Sequence, residues 1–450
     1  MKLIYNISDK PKFGQMIVFA IQQLLAIMAA TLVVPIIIGN GMSPAAALFG
    51  AGIGTMVYIL FTKGKSPVFL GSSFAFLGSM AAAFAGGISM SLGYLGLIIG
   101  AVSAGLVYVV IAIIVRFAGV KWIGVIMPPV VIGPTVAIIG LSLAGNAIGD
   151  LTSGEVAGGS SYIALICGLV TLAVTMLAST FGKKMVKLIP FIIGISAGYA
   201  VAAIFTVIGL ATGNDSLRII DFSYFSNLLV DGKVALSTFF AVPDFTFLTA
   251  VKGFGELSAS YIAKIVVAYV PVSFVVFAEH IADHKNISSI IGTDLLETPG
   301  LHRTLLGDGV GSMAGALFGG CPNTTYGESV ACVAITGNAS VVTIITAAVG
   351  AIIISFLSPF VAIVDSIPPC VMGGVCMALY GFIAVSGLKM IQKINLEENR
   401  NLFVVSVILI AGIGGLTLNI GAVTVTNIAC ALILGILVNL MLGRKQKKND

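Results

Sequence analysis

Pro322-Asn323-Thr324-Thr325-Tyr326-Gly327-Glu328 interrupts a long apolar tract, and the reading of this stretch decides the fold. Thr-Thr-Tyr favours extended backbone over helix, and Pro322 cannot donate a ladder bond. The same character returns in Gly71-Ser72-Ser73-Phe74-Ala75-Phe76. Around both stretches the sequence is that of a membrane protein: 58% of its 450 residues are hydrophobic and only 9% charged, 54 are Gly, and mean hydropathy is +1.11. A soluble domain carries roughly 25% charged residues, so this chain cannot cover a water-facing surface. Non-helical backbone at membrane depth is tolerated only where protein buries it or where it lines a cavity. The two stretches are therefore predicted to be short extended strands, each leading into a half-helix, meeting inside the bilayer. Half-helix N-termini there present free N–H groups and a positive dipole end to a polar ligand. The plainer alternative is a pair of Ser/Thr-rich spans packed by small residues.

Counted at about 20 residues per crossing, the apolar blocks give an all-α polytopic membrane protein of 14 transmembrane segments. They fall near 15–38, 44–62, 67–86, 92–115, 122–147, 161–181, 187–211, 257–281, 303–319, 320–337, 340–364, 367–388, 400–417 and 420–443. An even count places both termini on one side, and the basic residues say which. Lys2, Lys10, Lys12, Lys63, Lys65, Arg116, Lys121, Lys183, Lys184, Lys187, Lys285, Arg303, Lys389, Lys393, Arg400, Arg444, Lys445, Lys447 and Lys448 fall on one side; Arg218, Lys233 and Lys252 fall on the other. Lys264 sits inside the eighth segment, about 22 Å of helix rise from Glu279, and snorkels outward. By the positive-inside rule both termini are cytoplasmic. No apolar core with a cleavage site marks a removable signal peptide at the N-terminus.

The polar stretch 213–256 then becomes an external connection between two seven-span halves. Seven is odd, so related halves must be inverted, as in many secondary transporters. Weak internal similarity agrees: the 71–76 stretch in span three matches 323–328 in span ten. Likewise Met127-Pro128-Pro129-Val130-Val131-Ile132-Gly133 in span five matches Ile367-Pro368-Pro369-Cys370-Val371-Met372-Gly373 in span twelve.

A charge at the bilayer centre costs at least about 2.5–3.5 kcal/mol, which makes intramembrane carboxylates functional candidates. Glu279, Asp283 and Glu328 lie within or beside apolar segments. Glu279 and Asp283 are four apart and share a helix face, where both cannot ionise cheaply. Glu279 is the proton-carrier candidate; Asp283 joins it in proton coupling or sits solvated at the helix end. Glu328 falls where the second half-helix begins, as ligand group or cap, and Gly327 lets backbone approach a ligand closely. Phe74 and Tyr326 correspond across the halves and are placed to clamp a flat ring, unless they only pack. Asp308 and Asp365 read as interfacial, and His284 and His302 as solvated. Gly309, Gly311 and Gly315 read as close helix packing rather than a dinucleotide fingerprint.

Other classes lack support. The net charge of +5 comes from basic residues scattered between apolar blocks, which excludes a nucleic-acid reader. Cys167, Cys321, Cys332, Cys370, Cys376 and Cys430 lie in apolar segments with no metal spacing, and no cofactor or metal motif is present. No nucleophile–base pair suggests an enzyme.

Over almost its whole length the chain resembles the nucleobase/ascorbate transporter family, most closely its bacterial uracil permeases, through GSSFAF (71–76), PNTTYGE (322–328), FAEH (277–280), TPGLHR (298–303), IPPCVMGG (367–374) and LYG (379–381). The resemblance implies a homodimer in a bacterial plasma membrane. It implies a core domain from residues 1–119 and 257–366, and a gate domain from 120–212 and 367–450 that carries the dimer contact. It implies import of a nucleobase, uracil first, with a proton, sodium remaining open. Phe74, Glu279, Tyr326, Gly327 and Glu328 then bind the base, with Ser72, Ser73, Gln23, Thr325, Ser329 and Tyr380 around them. Three positions depart from the family pattern: Gln23 replaces a His, Ser329 an Asn, and Asp283 the His of uracil permeases. An acid at that last place occurs in purine carriers, so a xanthine, urate or guanine permease is the alternative substrate reading. A passive channel or anion exchanger is the alternative class, and two buried acids at the site oppose it.

Overall fold

The computed structural model describes residues 3–119, 122–154, 156, 158–183, 185–230, 232–420 and 423–446. Of the basic residues used to orient the chain, Lys2, Lys121, Lys184, Lys447 and Lys448 lie outside this set.

The chain folds as α1 (Phe13–Ile38), α2 (Pro44–Phe61), β1 (Leu70–Ser72), a 3-10 turn (Phe74–Phe76), α3 (Leu77–Phe84), α4 (Met90–Ala118), α5 (Ile123–Ile126), α6 (Pro129–Ser142), α7 (Ala144–Leu151) and α8 (Ser161–Phe181). It continues with α9 (Met185–Leu188), α10 (Pro190–Thr212), α11 (Ser223–Ser226), α12 (Thr246–Ala250), α13 (Ala259–Ile291), α14 (Leu301–Gly319), β2 (Asn323–Thr325) and α15 (Gly327–Thr336). The last elements are α16 (Val341–Ile354), α17 (Ser358–Asp365), α18 (Pro369–Ile391), α19 (Asn399–Ile413), β3 (Leu418–Ile420), β4 (Val423–Val425) and α20 (Asn427–Gln446).

Among the described residues, eight helical stretches are long and apolar enough to cross a membrane, and five shorter apolar helices accompany them. Polar caps start several long ones: the hydroxyls of Ser43, Ser89 and Ser258 accept from the N–H groups of Ala46, Leu92 and Tyr261. Each such bond satisfies a donor that the first helical turn leaves orphaned.

Both non-helical stretches form as read. β1 pairs antiparallel with β2, Leu70 opposite Thr325 and Ser72 opposite Asn323, and the Ser73 N–H donates to the Pro322 carbonyl at 2.9 Å. Backbone groups that lack a helix here find partners in each other, which is what a low-dielectric surrounding demands. Beyond the pair the chain turns at once into the 3-10 turn and α3 on one side and α15 on the other.

Helices α2, α4, α14 and α16 pack together, and α6, α8, α10, α18, α19 and α20 form a second packed group. Glycines set the closest approach. A Cβ on Gly311 would lie 2.7 Å from the Gly54 carbonyl oxygen, and one on Gly309 would lie 3.0 Å from that of Gly105. The packing reading of Gly309, Gly311 and Gly315 holds, and all six cysteines are buried free thiols.

Three readings fail, those of His284 and Asp283 because α13 runs to Ile291, about ten residues past the end read at 281, and that of Asp308 because α14 packs it against His280. His284, expected to be solvated, is fully buried, and Asp308, expected at an interface, is 1% exposed. Asp283 is buried as well, not solvated at a helix end. Asp283 and His284, which looked like part of a helix terminus, are bonded inside the protein to Thr325 and Tyr58.

Candidate functional site

The strand pair directs the first turns of two short helices toward a cavity of about 460 Å³. Ser73, Phe74 and Ala75 line it from one side, and Tyr326, Gly327 and Glu328 from the other. Neither Ser73 nor Tyr326, the cap positions of these turns, makes a side-chain cap bond. The helix starts at the cavity thus take no bond from their cap residues, an arrangement that leaves room for a polar or anionic group.

α13 supplies the third wall. Glu279, Ala282, Asp283 and Asn286 line the cavity, the three- and four-residue spacing of one helix face. Glu279 is open to the cavity and Glu328 half-buried. Asp283 is held: its Oδ2 accepts from the Thr325 hydroxyl at 3.0 Å. That bond ties the α13 carboxylate to the strand pair, while a Cβ on Gly327 would have only Asp283 Oδ1 nearby, at 3.7 Å. The remaining wall is apolar, from Ile132, Val136 and Ile139 of α6 and Leu379, Phe382 and Ile383 of α18. Carboxylates and helix-start N–H groups facing an apolar wall form the usual make-up of a small-molecule site.

The structure brings Ser73, Phe74, Glu279, Asp283, Tyr326, Gly327 and Glu328 to one cavity, and leaves Gln23, Ser72, Thr325, Ser329 and Tyr380 outside its lining. Their bonds explain their places. Tyr326 donates its hydroxyl to the Ser72 carbonyl at 2.7 Å, so only its ring is left for the cavity. Tyr380 lies edge-on to Phe74 with ring centroids 6.2 Å apart. Gln23 donates its amide to the Ser329 hydroxyl, which also accepts from the Phe69 N–H at 2.9 Å. This triad ties α1 and the approach to β1 to the first turn of α15.

Behind α13 lies a second polar group. His280 Nδ1 is 2.7 Å from Asp308 Oδ2, and its Nε2 is 3.0 Å from the Thr304 hydroxyl. His284 donates Nδ1–H to the His280 carbonyl at 2.8 Å, and its Nε2 is 2.7 Å from the Tyr58 hydroxyl. The two imidazoles stack with centroids 4.0 Å apart.

Sequence reasoning missed Asn286, Lys187 and Ser386, which also line the cavity. Asn286 was findable, since it stands seven residues from Glu279 and hence two turns along the same face. Lys187 on the four-residue α9 carries no comparable signal.

The profile of the Permease family matches residues 14–421. A uracil permease of Bacillus caldolyticus is 40% identical, the match covering 99% of this chain and 96% of that protein. A uracil permease of Bacillus subtilis (strain 168) is 38% identical over 99% of this chain and 97% of its own length. Among solved structures, the transmembrane domain of a cyanobacterium bicarbonate transporter, BicA, matches with a TM-score of 0.62 at 15% identity, covering 97% of this chain and 99% of that one. That likeness shows a shared fold. A fold of apolar membrane-length helices, a family match over most of the chain and near full-length similarity to uracil permeases give one conclusion: the chain belongs to the Permease family, as a multi-pass membrane transporter and not an enzyme.

Proposed function

We propose that the protein imports a nucleobase, uracil first, together with a proton. The observation that carries this reading is the meeting of Glu279, Glu328 and two uncapped helix starts at one cavity. Uracil has two N–H donors and two carbonyl acceptors on a flat ring. Glu279 and Glu328 accept from the N–H groups, the helix-start N–H groups around Phe74 and Gly327 donate to the carbonyls, and Phe74 with the apolar wall covers the ring. The similarity to uracil permeases supports the same substrate.

Protonated, Glu279 enters the site uncharged and binds the base; deprotonation on the inside releases base and proton together. Affinity that depends on the protonation of one carboxylate is what couples the two fluxes. In the full proposal the chain crosses a bacterial plasma membrane 14 times as two inverted halves, with both termini in the cytoplasm. Residues 1–119 and 257–366 form the moving core, and 120–212 and 367–450 form the gate through which two copies dimerise. Lys187 and Asn286, exposed residues of the cavity lining, lie toward the cytoplasm in this orientation.

The test is uptake of labelled uracil by cells lacking their own uracil carriers. Accumulation above the external level that collapses with a protonophore supports the proposal; uptake that never exceeds the external level refutes symport. Asp283 favours a purine as the second reading, because a carboxylate beside Glu279 offers one more acceptor to a base with additional N–H groups. Strong competition by unlabelled xanthine and weak self-competition by uracil would establish that reading instead.

A further inference from the structure

A second cavity, of about 310 Å³, is lined by Ile37, Asn40, Leu77, Gly78, Leu143 and Asn146 among others. It shares walls with the first. On α6 and its continuation, Ile132, Val136 and Ile139 line the first cavity, while Leu143 and Asn146 line the second. Spacings of four, three, four and three keep all five on one helix face. The 74–84 segment divides likewise: Phe74 and Ala75 face the first cavity, Leu77 and Gly78 the second. From Ile139 to Leu143 the rise is about 6 Å. About one helical turn therefore separates the two linings, which follow one another along the same elements.

The partition is apolar, with Leu77 2% exposed and packed in the core and Leu143 lying against that core. The far cavity carries amides. Asn40 donates its Nδ2 to the Ile38 carbonyl at 2.9 Å, which leaves its Oδ1 as acceptor, and Asn146 is exposed. Gly78 marks open space: a Cβ there would meet nothing within 4 Å, and its backbone is not left-handed.

We propose that this second cavity is the outer antechamber of the transport path. A heterocycle bearing an imide edge, such as a pyrimidine base, rests there against the amides of Asn146 and Asn40. It then passes the Leu77–Leu143 partition to reach the acids. An amide offers one donor and one acceptor, which complements the N–H and C=O of an imide. The inference rests on the orientation proposed above.

Two variants and one chemical probe test it. Gly78→Phe fills the antechamber and lowers uracil uptake at least about tenfold. Purified Gly78→Phe protein keeps the uracil-induced rise in melting temperature, because the inner cavity is untouched. Asn146→Cys reacts with a membrane-impermeant maleimide added to intact cells, and Gly78→Phe in the same molecule slows that reaction. Wild-type uptake by Gly78→Phe, or no labelling of Asn146→Cys from outside, overturns the antechamber. Failure of the underlying transport reading shows separately, as absence of any base-induced stabilisation in the unsubstituted protein.

Discussion

The two faces of α13 carry similar polar groups and treat them in opposite ways. On one face His280 and His284 are fully buried, and every ring nitrogen has a partner within the protein. On the other face Glu279 opens to the cavity and Asp283 has the single Thr325 hydroxyl. A buried polar group costs stability unless its hydrogen bonds are made; the imidazoles make theirs within the protein, with only Asp308 Oδ1 beside them lacking a partner among the described residues, whereas Glu279 stands open to something that comes and goes. The contrast assigns the histidine face to architecture and the carboxylate face to ligand.

Substitutions can break that contrast. The largest effect is expected from Glu279→Gln, which removes the titratable group while keeping its shape: accumulation of labelled uracil falls to the passive level, and the melting temperature of the purified protein does not. A fall in both would place Glu279 with the structural groups. Next comes Asp308→Ala, which strands His280 Nδ1 inside the protein. Breaking such a buried pair costs about 3–5 kcal/mol, read as a large drop in melting temperature that Asp308→Asn mostly restores. If Asp308→Ala melts like the wild type, the architectural assignment is wrong.

A smaller loss is expected from Ser329→Ala. It deprives the Gln23 amide and the Phe69 N–H of their acceptor, at a cost of about 1–3 kcal/mol, and weakens uracil binding because the first turn of α15 loses its tie to α1. Ser329→Thr keeps the hydroxyl and restores affinity in a titration followed by melting temperature. Small in stability as well is Asp283→Asn, whose side-chain oxygen still accepts from Thr325, so the melting temperature stays close to that of the wild type. Its signature lies in selectivity: xanthine competes less well against labelled uracil than in the wild type. Unchanged competition would sever Asp283 from substrate choice.

Much of this arrangement was legible in the sequence because the physics there is local. Ser72-Ser73 and Thr324-Thr325 resist helix wherever they stand, and a carboxylate among apolar residues declares itself. What escaped was set by distance along the chain. The end of α13 was read ten residues early because Asp283, His284 and Lys285 look like a helix terminus; Lys285 is exposed, but the partners that bury Asp283 and His284 come from Thr325, Tyr58 and the neighbouring His280. The β3–β4 hairpin was likewise read as span ends, since its short apolar run carries no periodicity that separates strand from helix. The Gln23–Ser329 bond joins residues 306 apart, although both positions already stood out as departures from the family pattern.

The pairing of β1 with β2 also bears on how the protein is made. Leu70 already has the Thr55 hydroxyl of α2 as a partner, but Gly71 and Ser72 lie opposite Thr324 and Asn323, so the first strand leaves the ribosome long before the second exists. Until then its amide and carbonyl groups need water, a chaperone or the insertion machinery as stand-ins, since lipid offers none. A ribosome stalled before residue 323 should therefore hold a nascent chain whose first four helices are not yet settled.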